Sequence, residues 1–147
     1  MAETRCQLEC EDWVRLNWLP NRFGQAFHRE RLRLTSGGVF DFAAVSADLT
    51  VAITISTSGA TTAGGKSAVG KMMKLRSDMY FLLLADRPQS FVVLTEYDMY
   101  ERCLKEKEAG RVPAQIEFLH VELPPELNEK LREARRRASV EVSPLKT

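Results

Sequence analysis

The chain has 147 residues, 44% of them apolar and 28% charged, a balance that excludes disorder for most of its length. Its 21 Lys+Arg against 20 Asp+Glu leave a net charge of +1. That excludes a general polycation, so any affinity for nucleic acid has to come from a local patch. A chain of this size buries about 68–70% of the surface that its unfolded form exposes, enough to hold a core without metal or disulfide.

Cys6, Cys10 and Cys103 form no CxxC pair, and Met1 to Glu11 is polar and charged rather than a secretory apolar segment. The expectation is a cytoplasmic protein with free thiols. The longest apolar runs, such as Met79–Ala85, are too short to span a bilayer, so no membrane partner is expected.

The chain opens with a predicted short helix capped by Asp12, with Trp13, Leu16 and Trp18 before Pro20 interrupts it. Asn21 caps a second turn in which Phe23 and Phe27 lie at i, i+4. From Arg29 to Leu34 arginines at alternate positions mark a half-buried strand, and Ser36-Gly37-Gly38 is a turn. Val39–Ser46 is the next strand, Ala47-Asp48 a tight turn, and the β-branched Leu49–Thr57 a third, so the three make an antiparallel meander.

A small-residue loop, Ser58–Gly65, leads to a helix from Ser67 to about Ser77. The continuous apolar run Met79–Ala85 reads as a central strand covered on both faces. Phe91–Thr95 is a further strand, and a helix from about Asp98 to Ala109 ends at Gly110. Ile116–Val121 is a late strand. A charged helix then starts at Pro124-Pro125 and runs to about Ala138, and residues 140–147 form a flexible tail. The whole is one α/β domain with a mixed sheet.

Three groups of residues have chemistry to offer. Residues 60–67, ATTAGGKS, fit a loose P-loop pattern between a predicted strand and a predicted helix. Backbone N–H groups, Lys66 and the Ser67 hydroxyl would there hold a nucleotide's phosphates and its Mg²⁺, and Phe81–Asp86 imitates the apolar strand whose Asp completes such a site. Arg29, Arg31 and Arg33 alternate on one strand, and Lys71 and Lys74 are i, i+3 neighbours on the next helix. If both groups border one cleft, they contact phosphates in a salt-sensitive manner. Finally, Asp41 stands between Phe40 and Phe42, and so on the pleat face opposite to both. Facing a cleft, it can ligate a hard divalent cation.

The order helix, antiparallel meander with Asp41 on its second strand, helix, central apolar strand resembles the PD-(D/E)xK nuclease superfamily, the restriction-endonuclease-like fold. The stretch from about Trp13 to Thr95 carries the resemblance, including Gly37-Gly38-Val39-Phe40-Asp41-Phe42. It implies that Asp41 binds Mg²⁺ or Mn²⁺ together with a Glu-x-Lys motif on the third strand. This chain has Thr54 at the acidic position and Ser56 at the lysine position.

A hydroxyl does not replace a carboxylate on magnesium, nor Ser the charge of Lys. The resemblance therefore implies a nuclease-like domain that binds or processes nucleic acid through an atypical or inactive metal centre. Lys66 would stand in for the missing cation and Glu96 for the missing carboxylate. Thr54, Ser56 and Ser58 would form a polar pocket into which Asp41 also points. A non-catalytic interaction module on the same fold, homodimerisation, and nucleotide binding at 60–67 remain open beside this reading.

Overall fold

A computed structural model describes residues 2–60 and 69–141. The helix α1 (Ala2–Trp13) continues through a π-helical turn (Val14–Trp18) into α2 (Leu19–Phe23). It thus begins ten residues before the Asp12 cap expected from the sequence. Cys6, Cys10 and Val14, spaced four apart and all buried, are the apolar stripe that extends it.

Pro20 does not interrupt this helical run. The Leu19 N–H reaches back five residues to the Val14 carbonyl, and this widened turn relieves the clash that proline imposes on a regular helix. Gly24, at φ 74°, ends α2. Phe27 lies beyond it in a strand, not on a helix, although its ring still packs on Phe23 at 5.5 Å.

Strands β1 (Phe27–Arg33), β2 (Val39–Ser46) and β3 (Val51–Ser56) form the expected meander, antiparallel throughout. The helix α3 (Val69–Ala85) then crosses to β4 (Gln89–Leu94), parallel to β3, and α4 (Tyr97–Glu108) crosses to β5 (Ile116–His120), parallel to β4. One five-stranded mixed sheet results, in the order β1-β2-β3-β4-β5. The last helix, α5 (Pro125–Glu141), extends into the start of the predicted tail; residues 142–147 lie outside the described part. No helix among the described residues is long and apolar enough to cross a membrane.

Met79–Ala85 is helical, which corrects the strand predicted there. Met72, Leu75, Met79 and Leu82 are buried at spacings of three and four, while Tyr80 is exposed. The run contains no β-branched residue, and its Met, Leu and Ala are good helix formers. Asp86 follows in a turn at φ 50°, so it ends a helix rather than the apolar strand of a nucleotide site.

The sheet is covered on both faces. Cys6, Cys10 and Val14 of the N-terminal helix and Leu131 of α5 pack with Ile53 and Val93 on one side. Met72 and Leu82 of α3 and Met99 of α4 pack with Ala52 and Val92 on the other. The central strands β3 and β4 are thus apolar on both faces. Leu82 has no exposed surface, and Leu82→Ala is expected to lower unfolding free energy by about 2–5 kcal/mol, measured by denaturant titration.

Candidate nucleic-acid interface

The β1–β2 hairpin changes register within its own length. His28 pairs with Val45, but Glu30 pairs with Phe42, so β2 carries one extra residue around Ala43. The Ala43 carbonyl accepts a hydrogen bond at 3.0 Å from Nη1 of Arg15, a buried side chain in the π-helical turn that is also paired with Asp12.

The pairing of β2 with β3 covers Ala44 and Val45. Before Ala44, β2 pairs with β1, and Arg31–Arg33 with Val39–Asp41 forms a two-stranded ribbon. Its inner face packs on α3. Leu32 and Phe42 are buried in the core beneath that helix, Phe40 stacks on Phe81 with ring centres 4.3 Å apart, and the Thr35 N–H donates to the Leu84 carbonyl at 2.8 Å.

The alternation of the pleat then sends Arg31, Arg33 and Asp41 to the outer face, where all three are exposed. Arg31 Nε donates to Asp41 Oδ1 at 2.9 Å, with the two side chains 67% and 70% exposed. This bond holds the Asp41 carboxyl below its ordinary range, and Arg29 adds to the effect. The same bond holds the Arg31 guanidinium above its ordinary range.

Asp41 therefore does not share a hollow with the hydroxyls of β3. Thr54 pairs with Val92 and Ser56 with Leu94. Both partners lie in the core beneath α3 and α4, on the side from which Asp41 points away. Thr54 is 5% exposed, and its hydroxyl has no hydrogen-bond partner among the described residues. The Ser56 hydroxyl accepts the Ser58 N–H at 3.3 Å and closes a local turn. The expected polar pocket of Thr54, Ser56 and Ser58 with Asp41 is not assembled.

Glu96 also differs from its expected role as a metal ligand. It receives Arg135 Nη1 from α5 at 2.9 Å and the Thr95 hydroxyl at 3.0 Å, while Arg135 Nη2 donates to the Thr57 carbonyl. Arg135 thus ties α5 to the ends of β3 and β4, a role not read from its place in a basic run. Asp98 accepts the Ala60 N–H at 3.1 Å and holds the chain leaving β3 against the start of α4.

With Asp41 and Glu96 each engaged by an arginine, these carboxylates do not fit a shared Mg²⁺ or Mn²⁺ site. Among the described residues no three His, Cys, Asp or Glu side chains are grouped to hold an ion. Lys66 and Ser67, and with them the nucleotide loop at 61–67, lie outside the described residues.

Of the two basic groups, Arg29 on β1 and Lys74 on α3 both act electrostatically on the Glu11 carboxyl. Lys71 and Lys74 are exposed on α3, Lys74 paired with Asp78 at 2.9 Å, and the ribbon's apolar inner face separates α3 from Arg31 and Arg33. The three cysteines are free and buried. Burial pushes the Cys10 thiol up to about 12 and the Cys103 thiol up to about 11, so both act as apolar core rather than as nucleophiles.

Glu11 stands near the base of the ribbon. Burial raises its carboxyl above the ordinary value, against the lowering influence of Arg29 and Arg15. A raised carboxyl favours folding while it is protonated, and that contribution is lost as pH rises through its folded value. Glu11→Gln is therefore expected to raise the thermal midpoint at about pH 7 and leave it unchanged at about pH 3. Arg135 is the opposite case, because its removal leaves Glu96 without its cation. Arg135→Ala is expected to cost about 1.5–3 kcal/mol, read by chemical denaturation.

No protein family, curated protein or solved structure matches the chain.

Proposed function

We propose that this chain is a nucleic-acid-binding module on a nuclease-like framework, and that it binds without the metal centre which the resemblance implies. The observation that carries this reading is the ribbon's outer face. Arg29, Arg31 and Arg33 are exposed on an outermost strand, and the other face of the ribbon is packed on α3. Clustered arginines on one exposed element suit a polyanion, since each phosphate neutralised releases condensed counterions.

The element order helix, meander, helix, parallel strand supports the nuclease-like framework. The positions of Asp41, Thr54 and Glu96 argue against a phosphodiester-cleaving centre built from them, and no cleavage step is assigned to the chain.

A fluorescence-anisotropy titration against labelled duplex at several salt concentrations tests the reading. Affinity is expected to fall log-linearly with salt, and Arg33→Ala to weaken binding to all sequences and reduce the slope by about 1. Binding indifferent to salt would overturn phosphate contact. Incubation of the duplex with Mn²⁺ is expected to give the same background for the native chain and Asp41→Ala, whereas cleavage that requires Asp41 would restore the metal-centre reading.

A further inference from the structure

The Arg31–Asp41 pair is placed where neither partner gains much from the contact, because exposed ion pairs contribute little to stability. Its geometry has another consequence. Asp41 takes the Nε–H of Arg31 at 2.9 Å, and no group among the described residues accepts from Nη1 or Nη2. A guanidinium is planar, so fixing Nε against a carboxylate on the neighbouring strand also fixes the plane and direction of the two remaining nitrogens. Arg31 is thus held as an oriented fork on the outer face of the ribbon, with its two Nη groups free to donate side by side.

The fork sits on an element of suitable size. The ribbon is two strands across, and the major groove of duplex DNA, about 12 Å wide, admits a two-stranded ribbon. The outer face offers Arg31 and Arg33 from β1 and Val39 and Asp41 from β2, with Arg31 opposite Asp41 and Arg33 opposite Val39. Arg29 lies close enough to Asp41 and to Glu11 to act on both electrostatically, so three arginines outnumber two carboxylates and the face is complementary to DNA in charge.

A pair of parallel N–H donors matches the O6 and N7 acceptors of guanine in the major groove. Phosphate contact alone needs no such orientation, since a freely moving arginine serves as well.

We infer that the β1–β2 ribbon enters the major groove of duplex DNA, where Arg31, oriented by Asp41, reads guanine. Arg33 and Arg29 contact the flanking phosphates. This rests on the nucleic-acid reading above and adds to it a ligand class and a base preference. Asp41 then acts as a positioning residue rather than a metal ligand.

The test is selection from a library of duplexes with a randomised central segment, using the full chain at low salt and sequencing the bound fraction. Guanine is expected to be enriched at one position or more. Arg31→Lys keeps the charge and loses the fork, so it should still bind in a salt-dependent way while guanine preference falls by about 5- to 150-fold. Asp41→Asn removes a negative charge and the anchor together. Total binding should hold or tighten as preference falls. Both residues are exposed, and unchanged circular dichroism will confirm that the variants fold.

Salt-dependent binding with no guanine enrichment in the native chain, or enrichment that both variants retain, would overturn the fork while leaving phosphate contact standing. A library that the native chain does not bind at low salt would overturn both.

Discussion

A single extra residue in β2 governs the surface of this protein. The insertion around Ala43 shifts the pairing of β1 with β2, and the carbonyl set free is taken up by Arg15 from the π-helical turn. Beyond that point the ribbon packs on α3 through Phe40 and Phe42. The bulge and the π turn are each an interruption of regular structure, and a buried arginine joins them. If β2 kept the register of its first pairs, every later side chain would change face, and Phe40 and Phe42 would meet water.

The same constraint decides what Asp41 can do. A nuclease-like metal site needs two or more carboxylates converging on one ion, in a hollow that limits water. Here Asp41 stands outside, opposite Arg31, and the hydroxyls of β3 face the core under α3. Glu96 lies at the end of β4 with both oxygens engaged, one by Arg135 and one by Thr95. Each carboxylate orients an arginine, a use for which exposure is no disadvantage at Asp41 and partial burial strengthens the link at Glu96.

Much of the fold was legible because local chemistry and final structure agree. The meander was readable from alternating residues in Arg29–Leu34, from β-branched residues in Val51–Ile55, and from the Gly37-Gly38 turn. The C-terminal part was readable from Gly110 and the paired prolines. Where the reading failed, an ambiguous pattern was at fault. Met79–Ala85 is apolar throughout, and a run of that kind has no period of its own; only continuity with Met72 and Leu75 shows that its burial repeats every three to four residues. The i, i+4 spacing of Cys6 and Cys10 fits a helix face, and Val14 continues it, but only packing shows that this face is buried.

The sequence by itself determined the N-terminal helix and the three-stranded meander, the placing of three arginines on one strand, and the alternation that parts Asp41 from its flanking phenylalanines. It also excluded a Glu-x-Lys motif on the third strand. Tertiary structure alone decided which side of the sheet each alternating set meets, because helices cover that side and no residue on a strand records where they will pack. It decided, too, that Arg31 and Asp41 face one another, and that Arg135 reaches Glu96 across thirty-nine positions. Pairing at such separations follows from register and packing, which the local pattern of residue types does not encode.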